Sequence, residues 1–519
     1  MKKINRNIGL FLWAALAVGS SSCDKMLDVP PQNKLTLSQF WLSKDQAVAA
    51  ISGIYSSVAS SSGSSATSVA PLESYIYWGE IRGELLKSNP GKLKGDEITK
   101  ENADNFTSTP NDAYTKFTGF YKIVNLANQA IKNIPDIVKK DPSFSQTDAD
   151  QLTGEAYFLR AFSYFWLVRT FKEVPLVLIP SETDNQDYNT PKSPADTVFA
   201  QIVKDLEIAK KSLPEWYDNI NYAKCRATKY TAMTMESDAY LWMASLSKDE
   251  TVKNSLYQKV IDNCDAIINS GRYFMLHGSK MATIFSTGRT DESIFETYSN
   301  SKLNNQINNL STWFNTNQYF VITASADLLF SSQDPDYRSA NVPTGGTYPI
   351  PSSAFSYRTT DYTLLKYNKS TRDAIWNFYR FSEVLLMKAE AIAHLYKDNS
   401  THLADALGLV NDVRERAFGI NTFVKAVGSS TLDLDEILLD ERGREFLGEG
   451  KRWFELVRFA SRDNFAHPEL LTRRILGSFS GTAQYLTKIR ISDPASWYLP
   501  LNADALAANP NLVQNPYYE

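Results

Sequence analysis

The sequence predicts an all-α-dominated fold, with a body of antiparallel helix pairs, long irregular inserts and short β-hairpins. Apolar residues recur at spacings of three and four in many segments, which is typical of amphipathic helices. Long segments rich in Asn, Gly, Ser and Pro separate the helices and lack that spacing. Of the 519 residues, 43% are hydrophobic and 12% are aromatic, so a large core can form. Helices joined by short turns stack as antiparallel pairs, and several such pairs predict a helical-repeat body.

The first residues have the pattern of a secretory signal that ends at a cysteine. Basic residues precede an apolar run from Ile8 to Val18, which is too short to span a bilayer. Small residues follow, and Cys23 stands at the expected cleavage point. We interpret residues 1–22 as a lipoprotein signal peptide, Cys23 as the lipidated first residue and residues 23–38 as a tether to the membrane. An ordinary signal peptide with a chance cysteine is the alternative.

The predicted helices follow the tether in a series. Apolar spacing defines each one, and Pro135 and Pro214 mark the ends of the first and third. The second carries so many aromatic residues that it must be largely buried. The last is interrupted by glycines. The predicted ranges are Phe117–Ile134, Gln151–Phe171, Val198–Leu213, Thr228–Ser247, Ser255–Asn269, Asn377–Tyr396, Leu403–Ala417 and Asp435–Phe459.

Three segments break the helical series. Residues 56–68 are rich in Ser and are predicted to form a flexible surface loop. Residues 71–100 mix aromatic residues with Gly, Asn and Pro, and we expect no regular helix there. Residues 282–371 form the longest insert, with a strand-like start at Ser293–Tyr298. An insert of that length in a compact domain is usually a binding surface.

The sequence lacks the common catalytic and metal-binding motifs. The four histidines have no zinc-site spacing, and neither a Gly-x-Ser-x-Gly turn nor a Walker loop occurs. The segment Gly448–Trp453 begins like a dinucleotide fingerprint, but Trp453 stands where the third glycine belongs. The formal net charge of −4 excludes a basic nucleic-acid binder. We therefore predict no metal, no cofactor and no nucleic-acid partner.

A row of carboxylates allows two interpretations. Glu441, Glu445 and Glu449 share one helical face, and the arginines near them are Arg444, Arg452 and Arg458. Interleaved arginines favour a structural ion-pair network. A pair of acids that acts as general acid and base, as in glycoside hydrolases, is the alternative.

The two cysteines beyond the signal are Cys225 and Cys264. In an oxidising compartment they could form a disulfide bond. Buried free thiols are the other reading, and we favour it.

Several blocks resemble the signature of the SusD/RagB family of outer-membrane nutrient-binding lipoproteins. They occur in the family's order and span essentially all of the chain that follows the signal. The blocks are Gly154–Phe162 (GEAYFLRAF) running on to Phe171 and Val174–Leu176, Phe381–Ala391 (FSEVLLMKAEA), Asn411–Ala417 (NDVRERA), Glu441–Phe446 (ERGREF), Glu449–Gly450, Lys451–Arg458 (KRWFELVR), Tyr498–Leu501 (YLPL) and Asn509–Pro516 (NPNLVQNP).

The resemblance implies a SusD-like α/α fold with tetratricopeptide-like helix pairs, at about 112–270 and 377–417. It implies one domain over 39–519, with ligand-facing inserts at about 60–110 and 282–371. It also implies a lipid-anchored protein on the outer face of the outer membrane, partnered by a SusC-like TonB-dependent receptor. Members bind oligosaccharides or, in some branches, peptides, and they are not enzymes.

The signature blocks themselves are expected to be scaffold. Their charged residues are interpreted as members of buried ion pairs, in which loss of one partner is costly. These residues are Glu155, Arg160, Glu383, Arg414, Glu441 and Arg452.

Candidate ligand-binding residues come from the inserts, by physical argument. Sugars present apolar C–H faces that stack on aromatic rings, while polar side chains bind their hydroxyl groups. The candidates are Tyr75, Tyr77, Trp78, Glu80, Arg82, Tyr298, Trp313, Asn315 and Tyr319. For each aromatic, packing within its own loop is an equally good reading.

Three functional hypotheses follow. The first is a cell-surface protein that captures oligosaccharides and passes them to a SusC-like TonB-dependent outer-membrane transporter. The second is the same architecture binding peptides. The third is a secreted helical glycoside hydrolase, which the sequence argues against because no catalytic constellation is evident.

Overall fold

The computed structural model describes residues 40–59, 71–89, 91–92, 101–183, 185–298, 310, 313–314, 317–331, 336, 338, 357–358, 363–364, 366–367, 375–417 and 428–519. The predicted signal peptide and tether, including Cys23, lie outside the described residues. Among the helices that are described, none combines the length and the apolar character needed to cross a membrane.

Helices dominate the described chain, as the sequence predicts. Side chains of Ser, Thr, Asp and Asn cap many of them by accepting hydrogen bonds from backbone N–H groups of the first turn. In chain order the α-helices are α1 (Lys44–Val58), α2 (Pro71–Gly79), α3 (Glu101–Asp104), α4 (Thr118–Ile137), α5 (Gln146–Phe171), α6 (Ala195–Ser212), α7 (Ile220–Cys225), α8 (Lys229–Leu246), α9 (Glu250–Asn269), α10 (Thr283–Ser286), α11 (Ala324–Ser331), α12 (Phe381–Leu395), α13 (Ser400–Glu415), α14 (Thr431–Phe446), α15 (Arg452–Phe465), α16 (Glu469–Gly477), α17 (Gly481–Ile491) and α18 (Ala503–Ala508).

Short antiparallel strand pairs complete the fold. The strands are β1 (Leu86–Ser88), β2 (Val174–Pro175), β3 (Lys192–Ser193), β4 (Ser293–Glu296), β5 (Phe320–Ile322), β6 (Tyr357–Arg358), β7 (Thr363–Leu364) and β8 (Asn377–Arg380). Strands β6 and β7 form a short hairpin, and β2 pairs with β3 across a longer connection. The pairs β1–β5 and β4–β8 instead join segments far apart in sequence. The pair β1–β5 joins the two inserts to each other, and the pair β4–β8 joins the second insert to the segment that leads into α12.

The long helices pack against one another in a series. Helix α4 packs on α5, α5 on α6, α6 on α8, α8 on α9, and α9 on α12, which in turn packs on α13. Helix α5 is buried on nearly all sides, as its aromatic content predicts. Gly154 allows the close approach of α5 and α6, because an added Cβ would lie 2.8 Å from the Cβ of Ser212. The repeated pairing agrees with the predicted helical-repeat fold.

Several predicted helix boundaries need correction. Helix α4 continues to Ile137, past Pro135, because a proline in the last turn removes only one late hydrogen bond. The segment predicted as helix from Asn377 starts as strand β8, and helix begins only at Phe381. The segment 435–459 divides into α14 and α15, because Gly448 and Gly450 adopt positive φ angles of 79° and 73° between them.

The prediction that residues 71–100 contain no regular helix is wrong at their start. Residues Pro71–Gly79 form α2, in which every residue except Glu73 is buried. Proline suits the first turn of a helix, where its missing N–H leaves no bond unmade. Apart from Pro71 at its start and Gly79 at its end, the prolines and glycines of this segment lie beyond the helix. Helix α2 therefore belongs to the core.

Candidate functional site

Two of the predicted ligand residues, Tyr75 and Trp78, lie in the hydrophobic core. Both side chains have 0% exposure. The ring of Tyr75 contacts Trp166, with 4.4 Å between ring centroids, and its hydroxyl donates to the carbonyl of Val58. The Trp78 ring stacks on Phe120, and its indole N–H donates to a backbone carbonyl. The premise that these aromatics sit in an irregular insert is wrong, because they belong to the buried helix α2.

Glu80 and Arg82 also make contacts within the chain. The carboxylate of Glu80 accepts hydrogen bonds from the backbone N–H groups of Gly448 (2.8 Å), Gly450 (2.9 Å) and Lys451 (3.2 Å). Burial raises the pKa of Glu80 to about 7, while the Gly448 N–H opposes that rise. The Arg82 guanidinium donates to the carbonyls of Ser496 and Trp497, at 2.8 Å each. Glu80 and Arg82 therefore bind backbone groups of the protein through these hydrogen bonds.

The structure brings three of the candidates from the two inserts next to one another: Tyr77, Trp313 and Tyr319. They surround a void of about 10 Å³, with Glu73 and Phe320 completing its wall. A void of that volume holds about one water molecule and is too small for a sugar ring. Asn315 lies outside the described residues. This cluster therefore packs the insert against α2.

Tyr298 lies in a different place, on the wall of a cavity of about 440 Å³. The cavity is in the size range of small-molecule sites. Helix α1 forms one wall, α7 a second and β4 with the two residues after it a third. Tyr298 is the predicted residue on this wall. The lining residues are Ser52, Tyr55, Ser56, Val58, Ala59, Asn219, Asn221, Tyr222, Cys225, Arg226, Phe295, Glu296, Thr297, Tyr298 and Phe378.

Aromatic rings and a fixed arginine shape the cavity wall formed by α1 and α7. Glu155, fully buried, accepts two hydrogen bonds from Arg226, at 2.7 and 2.8 Å. The guanidinium of Arg226 lies 5.1 Å from the ring centre of Tyr222 and 5.9 Å from that of Tyr55. The Tyr55 hydroxyl accepts from the N–H of Ala227. Tyr222 is 46% exposed, so its ring is available to a ligand.

Glu296 of β4 and Cys225 of α7 also line the cavity. The Oε1 atom of Glu296 accepts from the N–H of Arg289 at 2.7 Å, and burial raises the pKa of this carboxyl to about 7. Burial also raises the pKa of the Cys225 thiol, so it stays protonated and is a poor nucleophile.

Cys225 and Cys264 are both free and buried, so the disulfide alternative is wrong. Within the described residues no group of three or more His, Cys, Asp or Glu side chains could hold a metal ion.

The side chains that line this cavity are better suited to binding a ligand than to catalysing a reaction. Rings of Tyr55, Tyr222 and Tyr298 offer apolar faces, while the side chains of Asn219 and Asn221 offer both donors and acceptors. Sequence reasoning missed four of these five residues. Their signal was weak: Tyr222 lies in the aromatic segment between two predicted helices, and Tyr55 belongs to a helix that was not predicted.

The row of carboxylates on α14 and after it forms an ion-pair network, as the sequence favoured. Glu441 pairs with Arg338, Glu445 with Arg380, and Glu449 with Lys366. All three carboxylates are at most 2% exposed. Each of these three carboxylates is therefore bound to a cation and shielded from water, as expected for a structural ion-pair network.

Two family models match this chain. The model described as "SusD family" matches residues 272–518, and the one described as "Starch-binding associating with outer membrane" matches residues 67–241. The chain belongs to the SusD/RagB family. A curated relative, SusD-like protein P38 of Formosa agariphila, is 26% identical over the full length of both chains. SusD-like protein P2 of the same organism is 24% identical and covers 94% of this chain and 95% of its own.

Solved structures have the same fold. A SusD superfamily protein from Bacteroides thetaiotaomicron matches with a TM-score of 0.69 at 20% identity, covering 93% of this chain and 100% of its own. A candidate sugar-binding protein from Bacteroides vulgatus matches with a TM-score of 0.67 at 19% identity, covering 92% of this chain and 99% of its own. At these identities the likeness shows that the fold is shared.

The signature blocks of the SusD/RagB family are scaffold in this chain. The six charged residues that the sequence predicts to be members of buried ion pairs are indeed buried and paired. Arg160, for example, binds Asp205 through two hydrogen bonds of 2.7 and 2.8 Å. The remaining pairs are Glu155 with Arg226, Glu383 with Arg442, Arg414 with Glu441, and Arg452 with Glu84. The residues that identify the family therefore do not line the cavity. Other residues must determine which ligand the protein binds.

Proposed function

We propose that this chain is a cell-surface binding protein that captures oligosaccharides in the cavity between α1, α7 and β4. It passes them to a SusC-like TonB-dependent receptor in the outer membrane and has no catalytic activity of its own. A lipid on Cys23 and the tether of residues 23–38 hold it to the membrane. The observation that carries the proposal is the cavity, in which three tyrosine rings stand beside amide and guanidinium groups.

The chemistry of the cavity supports a sugar ligand. Exposed tyrosine rings stack on the C–H faces of sugars, and amide groups satisfy hydroxyl groups as both donor and acceptor. The description of the model matching residues 67–241 names starch binding and association with the outer membrane. The candidate sugar-binding neighbour from Bacteroides vulgatus points the same way.

Calorimetry with the full-length protein in detergent tests the capture of sugars. The panel contains maltoheptaose, cellohexaose, laminarihexaose and xylohexaose. We expect at least one to bind, and we expect Tyr298→Ala and Tyr222→Ala each to weaken it about tenfold, since losing one aromatic contact costs roughly 1.4 kcal/mol. Tyr485→Ala is the matched control, because Tyr485 is 65% exposed on α17 and does not line the cavity.

Other outcomes separate the alternatives. If no sugar binds but a library of short peptides does, the peptide hypothesis replaces ours. Release of reducing ends from any panel sugar, abolished by one carboxylate substitution, would establish a hydrolase. Equal affinity of the wild type, Tyr298→Ala and Tyr222→Ala for a sugar would overturn the assignment of the binding site to this cavity.

The anchor and the receptor partner need tests of their own. Cys23→Ala should release the protein from the outer membrane and stop its labelling with a radioactive fatty acid. An antibody should reach the wild-type protein on intact cells if it is exposed at the surface. Purification of the tagged wild type from its native membrane should recover a TonB-dependent barrel receptor. If the tagged protein is purified without such a receptor, the proposed transfer of sugar to a receptor is contradicted.

A further inference from the structure

Glu296 is the acidic side chain on the wall of the cavity between α1, α7 and β4, and one of its oxygens has no partner. The residue is 1% exposed at the end of β4. Its Oε1 atom accepts from the N–H of Arg289 at 2.7 Å. Its Oε2 atom is buried and makes no hydrogen bond in the described part of the chain. A buried carboxylate oxygen without a donor is costly, so its presence in a folded protein calls for an explanation.

Most neighbouring polar groups make contacts elsewhere, although the buried Nη1 atom of Arg289 makes no hydrogen bond among the described residues. The Ser293 hydroxyl donates to Oδ1 of Asn377 at 3.0 Å. The Nζ atom of Lys224 donates to the carbonyl of Ser293 at 2.8 Å, and the Arg289 guanidinium donates to the carbonyl of Thr287. Among the described residues no Lys or Arg side chain forms an ion pair with Glu296. The Oε2 atom thus has no donor among these hydrogen bonds, and a ligand in the cavity is one source of it.

The charges around Glu296 nearly cancel. Lys224 and Arg289 are its cationic neighbours, Asp291 lies near Lys224, and the neutral Cys225 thiol faces it from α7. Arg226, farther along the wall, is neutralised by Glu155. A ligand with a net charge at this point would gain little attraction. An acidic group would be repelled by the ionised Glu296, whereas a neutral hydroxyl could donate to it.

We propose that the carboxylate of Glu296 accepts a hydrogen bond from a hydroxyl group of a neutral sugar, and that capture therefore releases a proton from this side chain. The inference rests on the proposed function, because it concerns the same cavity. It narrows the ligand to a sugar that presents a neutral hydroxyl, and not a carboxylate or sulfate, at this wall. It also makes the affinity for the ligand depend on pH.

The hydrogen bond from the sugar hydroxyl to Glu296 determines how the affinity changes with pH. Without ligand, burial holds the pKa of Glu296 at about 7, so the carboxyl is partly protonated at neutral pH. The donated hydrogen bond favours the ionised form and lowers the pKa in the complex. Binding then requires a proton to leave, so the affinity rises with pH. The ionised share grows from about a tenth at pH 6 to about nine tenths at pH 8, which predicts a roughly tenfold gain in affinity.

Calorimetry of the full-length protein with the same four oligosaccharides tests this coupling. We measure the wild type, Glu296→Gln and the control Glu207→Gln, whose side chain is exposed on α6. Each is titrated near pH 6 and near pH 8, in two buffers of different ionisation enthalpy, which counts the protons released. The wild type and Glu207→Gln should bind about tenfold more tightly at the higher pH and release close to one proton at the lower pH. Glu296→Gln should bind with an affinity that does not change with pH.

The outcomes distinguish the two proposals. A sugar that binds the wild type equally well at both pH values, without proton release, overturns the role of Glu296 and leaves the proposed function standing. Tighter binding at the lower pH overturns it as well. If no sugar binds any variant at either pH, the proposed function fails and this inference fails with it. The wild-type titration is decisive even if Glu296→Gln does not fold.

Discussion

Glu80 and Arg82 show how single residues join distant parts of this chain. The Glu80 carboxylate binds three backbone N–H groups at the turn between α14 and α15. The Arg82 guanidinium binds two carbonyls near the carboxyl end of the chain and lies 4.3 Å from a Trp453 ring centre. Each contact spans more than 360 residues of sequence. Their chemistry resembles that of a ligand site, but the groups that they bind belong to the protein.

Replacing Glu80 by alanine should destabilise the protein without changing its affinity for a sugar. The substitution leaves three buried N–H groups without an acceptor, and each such group costs about 1–3 kcal/mol. We therefore expect the free energy of unfolding, measured by urea denaturation, to fall by roughly 3 kcal/mol or more.

The control is Glu415→Ala, because Glu415 is exposed at the end of α13. Its free energy of unfolding should change by less than about 0.5 kcal/mol. If Glu80→Ala is as stable as the wild type but binds the panel sugar more weakly, Glu80 is a ligand residue after all. Calorimetry on both variants under conditions where they are folded decides between these readings.

The sequence predicted which kinds of side chain could bind a sugar. It did not predict where those side chains lie in the folded protein. The sequence correctly marks aromatic side chains next to polar ones as candidates for sugar binding. It cannot tell that Tyr75 faces the core while Tyr298 lines a cavity, because that depends on contacts between segments far apart in the chain. Tyr222 and Arg226 were missed for the same reason, since the partner of Arg226 is Glu155 on another helix.

At the scale of elements, the contact between α2 and the turn before α15 is unusually close. A Cβ atom added to Gly79 would lie 1.8 Å from the carbonyl oxygen of Gly450. Gly450 itself has a φ angle of 73°, which favours glycine. The two glycines let the backbones touch, so that Glu80 can reach the N–H groups of the turn.

Replacing Gly79 by alanine should therefore separate α2 from the turn. We expect the free energy of unfolding to fall by roughly 2–4 kcal/mol, because backbone cannot move aside cheaply. Gly408→Ala on α13 is the matched control, since an added Cβ there meets nothing within 4 Å. That variant should gain up to about 1 kcal/mol, because alanine favours helix over glycine. Thermal denaturation of both variants provides the comparison, and an unchanged Gly79→Ala would contradict the close contact.

Long amphipathic helices were the elements that the sequence predicted best. Helices α5, α6, α8 and α9 lie close to their predicted ranges, because their apolar spacing and capping residues are local signals. Strand β8 and helix α2 were not predicted. Strand β8 is defined by its pairing with β4, which is distant in sequence. Helix α2 is short, and its polar face is nearly absent because it is buried on almost every side.

At the scale of the whole molecule, a buried ion-pair network connects the second insert to the helical body. Arg338 binds both Glu441 and Glu445 of α14, and Lys366 binds Glu449. Arg380 at the end of β8 binds both Glu445 and Glu449. The sequence indicated the carboxylates but not all of their partners, because Arg338 and Lys366 come from an insert without recognisable helical spacing. Loss of one partner in such a network leaves buried charges uncompensated.

This network should make the protein sensitive to acid. Burial by itself would raise the pKa of Glu441, but Arg338, Arg444 and Arg414 outweigh burial and hold the pKa at about 2. A carboxyl whose pKa is lower in the folded state than in the unfolded chain stabilises the fold above the unfolded pKa. That stabilisation is lost as the pH falls through the folded pKa.

For Glu441 this loss should occur between about pH 4.5 and pH 2 and amount to on the order of 3 kcal/mol. The free energy of unfolding of the wild type, measured by urea denaturation in steps of pH, should decline across that window. Glu441→Gln should be less stable by about 3–5 kcal/mol near pH 7, because Arg338, Arg414 and Arg444 each lose one carboxylate contact, and should decline less steeply in acid. Glu207→Gln, exposed on α6, should follow the wild type at every pH. Equal acid sensitivity of Glu441→Gln and the wild type would show that folding does not lower the pKa of this carboxyl.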